Sequence, residues 1–111
     1  MHVVTLRIKV PPKRRKDFID AIHSYVGPCR VQPECTHCSF YHEFDQSDKV
    51  MLMQEWGSRD ALDKHLRSKE FRIILSLMDL SSTVPEFQFH TISRTEGFEA
   101  VETLRLEALE S

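Results

Sequence analysis

A chain of 111 residues carrying 15 lysines and arginines against 17 aspartates and glutamates, with a formal net charge of −2, is long enough for one modest core and too short for two. That balance offers a phosphate backbone no general attraction, so nucleic acid is not expected as a ligand. The apolar runs are short, Val3-Val4-Thr5-Leu6 being followed at once by Arg7 and Lys9, so no signal peptide or membrane span is expected and a cytoplasmic location is.

In chain order, Val4, Leu6, Ile8 and Val10 alternate with Thr5, Arg7 and Lys9, the period of a half-buried strand over Met1 to Val10. Phe18, Ile22, Tyr25 and Val26 recur at helical spacing, predicting a helix from Pro12 to Val26 that Gly27-Pro28 closes. A loop with Pro33 leads to two strands, His37 to Phe44 and Lys49 to Trp56, joined as a hairpin by Asp45-Gln46-Ser47-Asp48. In Val50-Met51-Leu52-Met53 both parities are apolar, as in an internal strand covered on both faces.

Ser58 is placed to cap a helix with Ala61, Leu62, His65 and Leu66 inward, and Ser68 to cap a second with Phe71, Ile74, Leu75 and Met78 in register. Phe87, Phe89 and Ile92 support a fourth strand ending near Arg94. After Gly97, the spacing of Phe98, Val101, Leu104 and Ala108 predicts a short amphipathic helix.

This order defines an α+β chain, a ferredoxin-like βαββαβ sandwich with one antiparallel four-stranded sheet over residues 1–94. Residues 95–111 form a C-terminal helix expected to pack on the domain or on a partner. Helices cover one sheet face; a middle strand apolar on both sides predicts that the other face packs on a second copy, giving a homodimer that closes into an α/β barrel.

The chain's three cysteines, Cys29, Cys35 and Cys38, lie within fourteen residues that also hold His37 and His42. Their odd number favours reduced thiols over a disulfide framework. Cys35 and Cys38 have the spacing of a zinc knuckle, but in one extended segment they would point to opposite faces, and no second pair stands at a zinc spacing, so no metal site is expected. A thioredoxin-type pair needs a helix beginning at its first cysteine, where this sequence has a strand. Small buried residues at a strand entrance are the reading adopted.

The segment EWGSRDALDKHLRSKEFRIIL, with Trp56 closing a strand, His65 nine residues later and Phe71 beginning the next helix, resembles the antibiotic biosynthesis monooxygenase family of small quinol and anthrone monooxygenases. Pro33-Glu34-Cys35 resembles the Pro-Gly-Cys that commonly precedes the second strand there. HLRSKEFRIILSLMDLSSTVPEFQF and the EGFEAV ending resemble one bacterial branch. Two departures stand out: Gln54 replaces the glutamate often found two residues before the tryptophan, and the chain has no asparagine, which the anthrone oxygenases and haem-degrading members use.

The resemblance implies oxygenation of a small aromatic molecule with no flavin, metal or other cofactor, and the dispersed Gly27, Gly57 and Gly97 build no phosphate loop. In such a reaction a quinol or anthrone loses a proton and its anion reduces oxygen directly. His65 is the candidate base and Trp56 the aromatic wall, the two catalytic candidates. Leu52, Gln54, Phe71, Arg7 and His42 are the expected substrate contacts, Arg7 through a phenolate or a partner carboxylate. His42 and His90, both in strands, are weaker alternative bases. The run Lys13-Arg14-Arg15-Lys16 reads as a solvated face and Met51 with Met53 as packing. A non-catalytic dimeric module binding an aromatic or haem-like ligand, and an isomerase, remain open beside the monooxygenase.

Overall fold

The computed structural model describes residues 1–110. The alternation at the start becomes β1, His2–Lys9, with Val4, Leu6 and Ile8 buried and Arg7 projecting from the opposite face. A single turn of 3-10 helix, Pro12–Arg14, leads into α1, Arg15–Arg30. Next come β2 (Cys35–His42), β3 (Lys49–Trp56), α2 (Arg59–Leu66), α3 (Phe71–Asp79), β4 (Glu86–Thr91) and α4 (Glu99–Glu110). The four strands form one antiparallel sheet in the order β2-β3-β1-β4, so β1 and β3 are internal, as the apolar composition of Val50 to Met53 requires.

Register fixes which side chains meet the helices. Val4 pairs with Gln54, Leu6 with Leu52 and Ile8 with Val50, and these residues face the same core as Tyr25 and Cys29 of α1, Leu62 of α2, and Phe71, Ile74 and Leu77 of α3. The other face carries Val3, Thr5 and Arg7 of β1 beside Glu55, Met53 and Met51 of β3, with Ser39 and Tyr41 beyond them. Met51 and Met53 are half-buried there and Tyr41 is exposed, so this face presents apolar surface that no helix of the chain covers.

Several boundaries differ from expectation for identifiable reasons. The first helix does not stop at Gly27-Pro28: Pro28 lies inside α1 and the helix continues to Arg30. Proline at this point removes one i to i−4 hydrogen bond, but the fully buried Cys29 holds the last turn against the core. The second strand begins earlier and ends at His42, leaving Phe44 in the hairpin connection and fully exposed. Ser68 does not cap α3; its hydroxyl instead donates to the carbonyl of His65 at 2.6 Å, closing the end of α2. On α3, Leu77 rather than Leu75 completes the buried stripe, Leu75 being exposed. The fourth strand stops at Thr91, short of Arg94.

Ser58 does cap α2, accepting from the Ala61 amide at 3.2 Å. Its hydroxyl donates to the Glu34 carboxylate, while the Gly57 amide donates to the Glu34 carbonyl at 2.8 Å. Glu34, at φ 66°, turns the chain into β2 and is thereby tied to the start of α2.

The radius of gyration, 17.2 Å, exceeds the ~13 Å of a compact chain of this size because α4 is not folded into the core. None of its described residues is buried, and Val101, Leu104, Leu106 and Leu109 are exposed, as is the preceding Phe98. The expected helix is present; residue 111 of the expected segment lies outside the described residues.

Replacing Ser58→Ala removes the cap and the hydroxyl's bond to the Glu34 carboxylate, leaving the Gly57–Glu34 backbone bond. Urea denaturation should show a loss of about 1 kcal/mol with an unchanged slope.

Candidate active site

Alternation along β3 turns Val50, Leu52, Gln54 and Trp56 toward the helices, which puts an amide side chain in an otherwise apolar row. Gln54 is fully buried, so its polar atoms need partners within the core. Its Nε2 donates to the Tyr25 hydroxyl, and its Oε1 accepts from the Trp56 indole Nε1 at 3.4 Å. The Tyr25 hydroxyl also meets His65 Nε2 at 2.6 Å. Three elements, α1, β3 and α2, are therefore joined by one chain of buried hydrogen bonds.

The rings pack as closely as the polar atoms. His65 lies 4.8 Å from the Trp56 ring in a tilted arrangement, 5.7 Å from Tyr25 and 5.9 Å from Phe71, which meets it edge-on. From Phe71 an aromatic file runs outward through Phe87 at 6.1 Å to Phe89, a further 5.0 Å on, where the Arg59 guanidinium sits 5.4 Å over the exposed ring. This file connects the buried imidazole to the surface beside β4.

Burial lowers the His65 pKa below the ordinary imidazole value, with the Glu70 carboxylate opposing weakly, so the ring is neutral at pH 7. Burial also drives the Tyr25 phenol far above its usual range, reinforced by the neighbouring Cys29 and Cys38 thiols, so its proton stays on. The Tyr25 hydroxyl accepts from Gln54 and keeps one hydrogen to give, to His65 Nε2 or to the adjacent Cys29 sulfur. In the second arrangement Nε2–H donates to Tyr25 and Nδ1 carries a free lone pair. His65 Nδ1 is, with Thr5 Oγ1, a buried side-chain polar atom without a partner among the described residues.

The cysteines border this network. Cys29 Sγ lies 3.5 Å from Gln54 Nε2, 3.9 Å from His65 Nε2 and 4.0 Å from Cys35 Sγ, and Cys38 Sγ lies 3.9 Å from Gln54 Nε2. The expectation that Cys35 and Cys38 point to opposite faces is corrected: the ladder slips between Cys35 and His37, so Cys35 pairs with Trp56 and Cys38 with Gln54, both on the helix side. Among the described residues, no group of three or more histidine, cysteine or acidic side chains is arranged to hold a metal ion.

Of the residues singled out from sequence, the fold brings together His65, Trp56, Gln54 and Phe71, with Leu52 buried in the same β3 row. It does not bring Arg7 or His42 to them. Arg7 is on the far face, 3.4 Å from Gln88 Oε1, and His42 is exposed at the opposite end of the sheet. These two line a cavity of about 510 Å³ with Tyr41, Met51 and Glu86, and His42 also borders a second of about 300 Å³ between α1 and β2. Neither cavity touches Trp56 or His65. Tyr25 and Cys29 were missed as site residues; Tyr25 sits on the apolar stripe of α1, and helical spacing alone gives its hydroxyl no destination.

The split βαββαβ topology and one-sided helix layer define a ferredoxin-like α+β protein. The sequence profile of the antibiotic biosynthesis monooxygenase family matches residues 1–74, and the chain belongs to that family. It is similar to sll1783 of Synechocystis sp., 28% identical over 95 residues that are 85% of this chain and 65% of that one, so it spans less than two thirds of that relative's length. In fold it is similar to Rv0793 of Mycobacterium tuberculosis (TM-score 0.76, 18% identity, 86% of this chain and 98% of that chain). It is likewise similar to SnoaB, a cofactor-independent oxygenase from Streptomyces nogalater (TM-score 0.71, 19% identity, 85% and 94%).

Because the native His65 pKa is depressed, the unfolded chain binds more protons there, and stability falls as pH drops from the unfolded value of 6.5 through the native one. Denaturation midpoints at pH 7.5, 6.5 and 5.5 should show that slope, and His65→Gln should flatten it. Tyr25→Phe leaves Gln54 Nε2 only the weakly accepting Cys29 and Cys38 sulfurs and should cost roughly 1–3 kcal/mol in the same assay, well beyond a surface hydroxyl deletion.

Proposed function

We propose that the chain is a monooxygenase that oxidises a small aromatic quinol or anthrone with molecular oxygen, with His65 as general base and Trp56 as the ring-stacking wall. The observation that carries this reading is the neutral, buried imidazole whose Nδ1 has no partner, set against an indole face. A phenolic hydroxyl is the complement of that atom. With Nε2–H donating to the Tyr25 hydroxyl at 2.6 Å, Nδ1 is the nitrogen that keeps the lone pair.

The substrate proton passes to Nδ1, and Tyr25 and Gln54 fix the ring through Nε2 so that the lone pair stays aimed. The carbanion or phenolate gives one electron to oxygen, the radical pair recombines to a peroxide anion, the protonated Nδ1 gives its proton back to that anion, and loss of water from the resulting hydroperoxide leaves the quinone. The electrons come from the substrate itself. What the protein contributes is proton removal, orientation and a dry site, the last supplied by the burial of Trp56, Gln54 and Phe71. Gln54 suits this chemistry: a carboxylate in its place would hold a positive charge on the imidazole and remove the base.

Neither cavity touches His65, so an aromatic substrate reaches it by displacing Phe71, Phe87 and Phe89, whose apolar edges suit a planar ring. A second copy covers the outer sheet face over Met51, Met53 and Tyr41, with α4 as a further contact, completing a homodimeric barrel.

Oxygen uptake with a panel of hydroquinones and anthrones should be seen with the wild-type chain and fall by on the order of 10²-fold or more in His65→Gln. Uptake that is unchanged in His65→Gln and Trp56→Phe would remove both residues from the reaction. Product formed under strict anaerobiosis would point to an isomerase, and ligand-induced thermal stabilisation without turnover to a binding module. Light scattering at micromolar concentration should give twice the 13.0 kDa of one chain; a stable monomer would contradict the covered outer face.

A further inference from the structure

Three thiols lie beside the site, and the proposed reaction uses none of them. Cys29 is fully buried at the end of α1, Cys38 nearly so in β2, and Cys35 only half-buried at the start of β2. Cys29 and Cys35 Sγ are 4.0 Å apart. They meet because the intervening turn folds back on itself: the Gln32 amide donates to the Cys29 carbonyl and the Cys35 amide to the Gln32 carbonyl, both at 3.1 Å, and Glu34 takes the left-handed φ of 66°.

A disulfide needs the sulfurs about 2.05 Å apart, so closure requires them to approach by roughly 2 Å. Each end has one break in regular hydrogen bonding beside it. Pro28, one residue before Cys29, gives α1 no amide hydrogen in its last turn. Cys35 stands at the slip in the β2–β3 ladder, before regular pairing resumes at His37.

We propose that Cys29 and Cys35 form a reversible disulfide when the chain meets a hydroperoxide. Burial raises the Cys35 thiol pKa above its ordinary value, but it is the thiol an oxidant reaches, because Cys29 and Cys38, in side-chain contact with one another, are both buried. Its sulfur attacks the peroxide, the O–O bond breaks, an alcohol or water leaves, and Cys35 becomes a sulfenic acid. Cys29 then attacks that sulfur; the S–S bond forms and the sulfenic oxygen leaves as water. Two thiols lose two electrons and two protons, and the peroxide is reduced. The bridge draws the Cys29 sulfur away from Gln54 Nε2 at 3.5 Å and His65 Nε2 at 3.9 Å, so the oxidation state is felt in the Tyr25–His65–Gln54 network. The inference stands independently of the substrate chemistry proposed above.

The test is peptide mapping of the full chain after reduction, removal of reductant, treatment with hydrogen peroxide, alkylation and trypsin digestion. Cleavage after Lys16, Arg30 and Lys49 puts Cys29 on one peptide and Cys35 with Cys38 on the next. The expected product is those two peptides joined, less two hydrogens, with fragmentation placing the link at Cys35 and the alkyl group on Cys38. Dithiothreitol should reverse it, and Cys35→Ser should lower the yield at least tenfold. A Cys35–Cys38 bridge within one peptide, a Cys29–Cys38 link, a bond between two chains on a non-reducing gel, or Cys35 carried to sulfinic acid without a bridge would each overturn the proposal. The wild-type map decides this even if a variant fails to fold.

Discussion

A buried amide governs this structure. Gln54 stands in the row of β3 that faces the helices, where an unpaired amide would cost several kcal/mol, and the fold answers by bringing the Tyr25 hydroxyl from α1 and, through it, the His65 imidazole from α2. The same amide oxygen receives the Trp56 indole. Helix and sheet are thus positioned relative to one another by hydrogen bonds whose geometry is far less forgiving than apolar contact. The consequence is an imidazole held at one nitrogen, packed against an indole, kept neutral by burial, and left with its other nitrogen unpartnered.

Much of the architecture is legible in the sequence because it rests on periodicity. Alternation at Val4, Leu6 and Ile8 and the two-sided apolar run at Val50 to Met53 place two internal strands, and the spacing of Leu62, His65, Phe71 and Ile74 sets the inner faces of α2 and α3. Residues 55–75 also carry the family likeness, which brings Trp56 and His65 forward together. What periodicity does not encode is parity lost at a bulge or a partner reached across the core. The slip after Cys35 turns two cysteines to one side, and only tertiary packing delivers Tyr25 and Cys29 to His65. Pro28 misleads for the opposite reason: local propensity ends the helix, while burial of the next residue continues it. Arg7 and His42 are chemically suited to a phenolate, yet strand parity and position carry them away from the imidazole.

The two sides of the sheet divide the work. Toward the helices, a dry aromatic and polar cluster is assembled at the end of β3; away from them, Met51, Met53 and Tyr41 form a surface that one helix layer does not cover. Membership of the antibiotic biosynthesis monooxygenase family sets the scaffold, and the identity of the residues around His65 sets what the scaffold can do. Replacement of an expected carboxylate by Gln54 and the cluster of three thiols give this chain a site of its own character.

The central claim is that His65 Nδ1 is the atom a phenolic ligand engages. Imidazole nitrogen-15 spectra of histidine-labelled protein, titrated with a hydroquinone under argon, test it directly. The account predicts that the His65 Nδ1 resonance moves on binding while His2, His23, His37, His42 and His90 stay in place. A His65 signal unmoved at saturating ligand, with the shift instead at His42, would contradict it and transfer the binding site to the opposite end of the sheet.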